Sequence, residues 1–207
     1  MRSGGRVKVT TVADPQAVRP RDEVDRRCAP LAPDRLPVAG ITDVWPWSGW
    51  VLVAFVMDAY ARAIIGWRCG SAMSTQLVLD APDHAVWTRE REGRELGSVV
   101  ARPGRGSQYT AVRYTERRAE AGIVASVGGV GSSYDTALAE SINGLDKTEL
   151  IKPRGPWRTL DAVEIATADW VAWFNPPRLH EFCGDVPPAD LETAYHRVQR
   201  GAELTQH

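Results

Sequence analysis

Three polar side chains on one predicted helix could together handle a phosphate group or a metal ion. The helix is predicted to begin at Ser132 or Ser133 and carries Glu140, Asn143 and Lys147. At 3.6 residues per turn, Asn143 lies one turn and Lys147 two turns beyond Glu140, on nearly the same face. Carboxylate oxygens are ligands that magnesium prefers, and lysine pairs with phosphate. Each residue also has an ordinary alternative: a solvated carboxylate, a local backbone cap and a surface lysine.

An upstream tract adds a characteristic spacing. Residues 101–109 read ARPGRGSQY, and 35 residues lie between Gly104 and Glu140. Arg105 and Gln108 are candidate phosphate contacts in this tract. Lys152 and Arg154 are further candidates, although such small groups of charges are more often solvated surface.

These tracts resemble the catalytic core of bacterial insertion-sequence transposases of the DDE type, which share a fold with retroviral integrases. In that family the second motif usually reads His-Ser-Asp-Arg-Gly-x-Gln-Tyr, with a Glu after 35 intervening residues. The first motif usually reads Trp-x-x-Asp-Ile-Thr-Tyr. Here PVAGITD takes its place, so Gly40 and Gly104 occupy the two Asp positions and Glu140 is retained. Further matches are MDAYAR before IIGW and the segment WFNPPR.

The resemblance implies DNA strand cleavage and transfer at two divalent metal ions, Mg²⁺ or Mn²⁺, held by three carboxylates. It assigns catalysis to Glu140, Gly40 and Gly104, and metal binding to Glu140. It places Lys147 where relatives carry a basic residue that contacts DNA. Arg105, Gln108 and Asn143 are added as candidate DNA contacts from their residue types and positions. Because glycine supplies no oxygen ligand, we expect impaired metal binding and impaired catalysis.

Three other acids are possible replacement ligands. Asp43 is an odd number of residues from Gly40, so strand alternation turns it to the opposite face. Asp58 ends the second strand and is expected to brace the turn. Asp135 lies about 140° from Glu140 around the helix, and a helix N-terminal charge is its more ordinary role.

Composition sets limits on the class of protein. Hydrophobic content of 43% and charged content of 25% are ordinary for a globular protein, and a net charge of −1 neither supports nor excludes nucleic-acid binding. Three widely spaced cysteines argue against a disulfide framework or a zinc site and fit a reducing cytoplasm. No apolar run or leader pattern predicts a membrane span or secretion. The eight tryptophans are expected mostly to fill the core.

The apolar pattern predicts strands first and then alternating helices and strands, which argues a mixed sheet flanked by helices. Strands are predicted at 38–44, 51–57, 63–67, 97–100 and 123–127. Helices are predicted at 74–92, 109–121, 132–150 and 160–174, with a short one near 189–198. This order is compatible with the five-stranded, ribonuclease-H-like α/β fold that the resemblance implies. Residues 1–35 are expected to form a flexible arm, 36–180 the integrase-like core and 181–207 a tail.

Three functional hypotheses follow. The chain is a transposase-type domain acting on insertion-sequence ends and target DNA, as a homo-oligomer or with an upstream helix-turn-helix partner. Alternatively, it is an inactive DNA-binding or inhibitory assembly protein derived from a transposase, or a remnant that barely folds. Restoring aspartate at 40 and 104 discriminates among these hypotheses.

Overall fold

A computed structural model describes residues 30–97, 99–101, 124–125 and 132–205. Its sheet is built around three antiparallel strands: β1 (Pro37–Val44), β2 (Val51–Asp58) and β3 (Ile64–Gly70). Strand β2 is central and buried along its whole length, as its continuous apolar sequence VLVAFVMD predicts. The three-stranded meander predicted from the sequence is confirmed.

Two short strands extend the sheet beyond β1. They are β4 (Val100–Ala101) and β5 (Val124–Ala125), and both pair in parallel, giving the order β3-β2-β1-β4-β5. On the β1 side, the two residues of β4 pair with Val38 and Ala39. The rest of that edge of β1 is not covered by β4. The mixed α/β class is therefore confirmed.

Helix α1 (Thr75–Arg91) packs on one face of the sheet. Its N-cap is Ser74, whose hydroxyl accepts a hydrogen bond from the Leu77 amide, as the sequence predicts. Helix and sheet meet most closely at Gly66, where a Cβ atom would lie 2.7 Å from the Ala85 amide nitrogen. The absence of a side chain at Gly66 lets the two elements approach.

Gly66→Ala is therefore expected to lower the free energy of unfolding by about 1–3 kcal/mol, because the added methyl forces α1 away from β3. Urea denaturation followed by circular dichroism measures the change. Gly144→Ala is the control for an added methyl without a clash, since a Cβ there would meet no atom of the described residues within 4 Å. It is expected to gain up to about 1 kcal/mol, because alanine favours a helix interior over glycine. An equal loss in both variants would contradict the steric explanation.

The helix that carries Glu140 is not uniform. Helix α2 (Ser132–Leu145) continues into a π-helical segment, Asp146–Ile151, and then α3 (Lys152–Arg154). The prediction of one α-helix to residue 150 is thus corrected after Leu145. Buried residues recur every fourth position, at Leu138, Ile142, Asp146 and Leu150. In an α-helix, residues spaced four apart move gradually around the helix and away from one face. The π-helical segment has more residues per turn, so Asp146 and Leu150 still face the core.

Helix α4 (Leu160–Phe174) matches its prediction in both bounds. The Asn175 side chain then brackets β3: its Oδ1 accepts from the Ile64 amide and its Nδ2 donates to the Ile64 carbonyl, each at 2.8 Å. His180 is buried against the Phe174 ring. The prediction that the segment after α4 serves structural packing is confirmed.

The last described helix is longer than expected: α5 spans Pro188–Thr205, not a short stretch near 189–198. It is joined to α1 through a buried cluster of charges, which we call the arginine cluster. Its guanidinium groups pair with carboxylates from residue 34, the end of α1 and α5. The members are Asp34, Arg89, Glu92, Arg94 and Glu192.

The expected burial of most tryptophans is wrong. Five of the eight are exposed: Trp45, Trp47, Trp50, Trp87 and Trp173. The first three form the turn between β1 and β2, which we call the tryptophan tip. A turn projects from the sheet, so its side chains have no second layer to pack against.

Candidate functional site

Helix α2 is held against β1 at the position predicted for the first acidic ligand. A Cβ on Gly40 would lie 3.0 Å from the Cβ of Ala139 and 3.5 Å from its Cα. Glu140 is the next residue along the helix and is exposed. The fold therefore brings the helix segment carrying Glu140 beside Gly40, two positions that are 100 residues apart in sequence.

Asn143 serves β1 directly. Its Nδ2 donates to the Ile41 carbonyl at 3.1 Å, one residue beyond Gly40. That carbonyl lies past the stretch of β1 that pairs with β4. The contact is with distant backbone and not with the local backbone that the sequence offered as one alternative, and it fastens α2 to β1.

Lys147 forms an ion pair with Asp43, with 2.9 Å between Nζ and Oδ1. Both side chains are partly exposed, so the pair is accessible to solvent and weak. The Lys147 ammonium and the Trp45 indole, which donates to Oδ2, lower the pKa of Asp43 although partial burial opposes them. Asp43 thus links the π-helical segment to the tryptophan tip.

Asp58 has the bracing role expected of it. Its side chain is buried and accepts hydrogen bonds from the Ala61 and Asp34 amides at 3.2 and 3.0 Å. Burial raises its pKa to about 6, against the effect of these hydrogen bonds. A carboxylate held by two backbone amides inside the fold is a structural group.

The predicted metal site is incomplete in the described part of the chain. Gly40 brings no donor atom, and Glu140 brings one carboxylate. Among residues 30–97, 99–101, 124–125 and 132–205, no group of three or more His, Cys, Asp or Glu side chains is arranged to hold a metal ion. Gly104, Arg105 and Gln108 lie outside the described residues, and so does the side chain of Asp135. The donor set of the described residues does not fit two divalent ions.

One buried acid was missed from the sequence. Asp146 is fully buried, and neither carboxylate oxygen has a hydrogen-bond partner among the described residues. Burial raises its pKa to about 7, although Lys147 opposes the shift. The four-residue repeat through Leu138, Ile142 and Leu150 was the available signal, since it places Asp146 on the apolar face.

Comparison with known proteins identifies the family of the chain. Two models described as integrase core domain match residues 32–133 and 121–188. Over 193 residues the chain is 59% identical to a protein of Mycobacterium tuberculosis named as a transposase for insertion sequence element IS986/IS6110. The match covers 93% of this chain and 69% of that protein. The chain belongs to the insertion-sequence transposase family. A further member, the transposase for IS629 of Shigella sonnei, is 46% identical over 91% of this chain and 62% of its own length.

Solved structures with the integrase-core fold resemble this transposase-family chain. The simian T-cell lymphotropic virus intasome, bound to PP2A regulatory subunit B56 gamma, superposes with a TM-score of 0.61 at 17% identity, over 86% of this chain and 60% of that one. The HTLV-2 integrase catalytic core domain in complex with magnesium gives 0.54 at 14% identity, over 78% and 98%. These likenesses establish a shared fold.

None of the described helices has the length and apolar character needed to cross a membrane.

Proposed function

We propose that this chain is a DNA strand-transfer core of an insertion-sequence transposase whose catalysis is impaired by glycine at two acidic positions. In this proposal its sheet is the five-stranded sheet of a ribonuclease-H-like core, and its substrates are insertion-sequence ends and target DNA. The observation that carries the proposal is the docking of Ala139 on Gly40, which sets Glu140 beside the first motif. Family membership supplies the reaction class.

Residues retained on the proposed DNA face argue for binding. Lys147 is partly exposed, and its weak pair with Asp43 can give way to a phosphate, because exposed ion pairs contribute little to stability. Glu140 is exposed beside it on the same helical run. We propose Lys147 and Asn143 as DNA-facing residues together with Arg105 and Gln108, Asn143 also holding α2 to β1.

Residues at the proposed metal site argue for impairment. Magnesium and manganese bind oxygen donors, and the family chemistry distributes two ions among three carboxylates. With glycine at 40 and 104, Glu140 is the remaining acid of the three. This arrangement can position DNA but lacks the donors to activate a hydroxyl nucleophile.

The test is to restore both acids in a background that accommodates them. In Gly40→Asp the new Cβ would press on the Ala139 methyl at 3.0 Å, whereas with glycine at 139 its nearest contact would be an ordinary 3.5 Å. Gly40→Asp/Gly104→Asp/Ala139→Gly is therefore expected to bind Mn²⁺ in isothermal calorimetry, while the native chain binds it far more weakly. Ala139→Gly alone is the matched control for the cost of about 1 kcal/mol of a helical glycine.

Strand transfer with labelled oligonucleotide ends completes the test. If the restored chain binds Mn²⁺ and recovers strand transfer, the missing metal ligands at positions 40 and 104 alone account for the impaired catalysis. Metal binding without strand transfer would favour the inactive DNA-binding protein over the impaired enzyme. Equal Mn²⁺ affinity in the native and restored chains would contradict the proposed impairment.

A further inference from the structure

The tryptophan tip exposes an unusual amount of flat aromatic surface. Trp45 and Trp47 are 70% and 72% exposed, and Trp50 is 50% exposed. The rings of Trp45 and Trp50 are stacked, with centroids 5.5 Å apart and planes 7° from parallel. Each ring of this pair keeps one face that the other does not cover. Exposed aromatic groups concentrated in one place mark an interaction site more often than isolated apolar residues do.

Hydrogen bonds fix the tip to the rest of the fold. The Trp47 amide donates to the Trp157 carbonyl at 3.0 Å, and the Ser48 amide donates to the Arg158 carbonyl at 3.1 Å. The Trp45 indole donates to Asp43 at 3.3 Å. The rings are therefore presented on a braced turn, and less conformational entropy is lost when a ligand binds them.

A cation lies beside one of these rings, and others lie nearby in the sequence or through a shared partner. The Arg158 guanidinium lies 5.7 Å from the centre of the Trp47 ring. Lys147 pairs with Asp43, which also accepts a hydrogen bond from the Trp45 indole. Lys152 and Arg154 are exposed and precede Trp157 and Arg158, whose carbonyls bind the tip.

Three acidic groups near this surface have partners or are enclosed, whereas Asp161, three residues beyond Arg158, is exposed. The carboxylate of Asp43 is shared by Lys147 and the Trp45 indole. Glu149 pairs with Arg178, and Asp146 is fully buried. Arg158, beside the Trp47 ring, is therefore the cation placed to meet a phosphate of a strand bound there.

We propose that the tryptophan tip binds unpaired bases of a DNA strand. Flat indole faces flanked by cations match a single strand, because bases stack on aromatic rings while lysine and arginine follow the phosphates. Bases within a duplex already stack on each other and do not offer these faces. A second protein chain fits less well, because an apolar partner would enclose the exposed guanidinium of Arg158 beside the Trp47 ring.

This inference rests on the proposed DNA-binding function and adds a strand-specific contact to it. The chain of contacts from Trp45 through Asp43 to Lys147 joins the tip to the proposed DNA face. The tip would hold a strand that has separated from its complement beside the duplex bound along α2. Trp45, Trp47 and Trp50 are positioning residues in this proposal.

Fluorescence anisotropy on the full chain tests it, with labelled oligothymidine of about 15 nucleotides and a duplex of the same length. In Trp45→Ser/Trp47→Ser, affinity for the single strand is expected to fall about tenfold or more, because stacking on each ring is lost. Duplex affinity is expected to stay unchanged. Trp87→Ser is the matched control, since Trp87 is 53% exposed on α1 and away from the tip.

Each other result overturns either the inference or the proposed function. Undiminished single-strand affinity in the double variant, or a native chain that binds only duplex, would overturn the inference and leave the proposed function standing. Conversion of an oligomer to a monomer in the double variant, with single-strand binding intact, would assign the tip to protein association instead. Absence of duplex binding by every form would overturn the proposed function itself. If the double variant fails to fold, Arg158→Gln replaces it, because this change keeps all three tryptophan rings. A fall in its affinity for the single strand, with duplex affinity unchanged, would then support the inference.

Discussion

Asp146→Leu is expected to stabilise the domain, and the gain is expected to be larger at pH 8 than at pH 5. Asp146 lies fully buried in the apolar stripe of Leu138, Ile142 and Leu150, and no residue in the described part of the chain donates a hydrogen bond to either oxygen. Burying an ionised carboxylate without partners is costly, and the group responds by holding its proton to higher pH. Leucine removes this cost and adds apolar contacts.

The sign of the pH dependence follows from the pKa of Asp146. Burial raises this pKa from the ordinary aspartate value of 3.8 to about 7 in the folded protein. Between those two values the folded chain keeps a proton that the unfolded chain has lost, so stability falls as pH rises. The whole window corresponds to about 4 kcal/mol, at 1.36 kcal/mol per pH unit. Above pH 7 the loss is complete and constant.

Thermal and urea unfolding at pH 5 and pH 8 measure the effect. At pH 8 the leucine variant is expected to be more stable by about 2–4 kcal/mol, after allowing for the strain of a slightly larger side chain. Asp58 has a pKa raised to about 6 by burial and will leave a residual slope below that pH. Asp169→Leu, an exposed position on α4, is the control and should not change the pH profile. A leucine variant with the native pH dependence would show that another group titrates.

Local features of the fold could be predicted because their causes are local. The apolar run VLVAFVMD gives β2, the Ser74 hydroxyl caps α1, and the bounds of α4 agree at both ends. Asp58 could be assigned a bracing role because it ends a strand just before a turn. The family resemblance assigned Gly40 and Glu140 to one site, and in the structure Ala139, the neighbour of Glu140, packs on Gly40.

Other features depend on contacts between distant segments and could not be predicted. The bond from Asn143 to Ile41 spans 102 residues, so it depends on how α2 docks on β1. The pair between Lys147 and Asp43 depends on where α2 crosses the sheet edge. Strand alternation correctly separates Asp43 from Gly40, but it cannot say which side chain will meet Asp43.

Arg89→Met is expected to lower the free energy of unfolding by about 3–5 kcal/mol, the usual cost of removing one partner from a buried ion pair. The Arg89 side chain is 4% exposed, and its guanidinium pairs with Asp34 at 2.8 Å and with Glu192 at 2.6 Å. Without it, Arg94 alone must neutralise both buried carboxylates. The arginine cluster joins residue 34, α1 and α5, so these segments should loosen together.

Urea unfolding gives the loss, and hydrogen exchange of the α5 amides reports where it acts. Arg91→Met on the same helix is the control: Arg91 is exposed and should change stability by no more than about 0.5 kcal/mol. Arg89→Met/Glu192→Leu should lose less than the sum of its single changes, because the second substitution removes a carboxylate left without its partner. The contrary result is that the losses in free energy of unfolding add strictly and that hydrogen exchange of the α5 amides is unchanged in every variant. Apolar packing, and not the arginine cluster, would then hold α5 on α1.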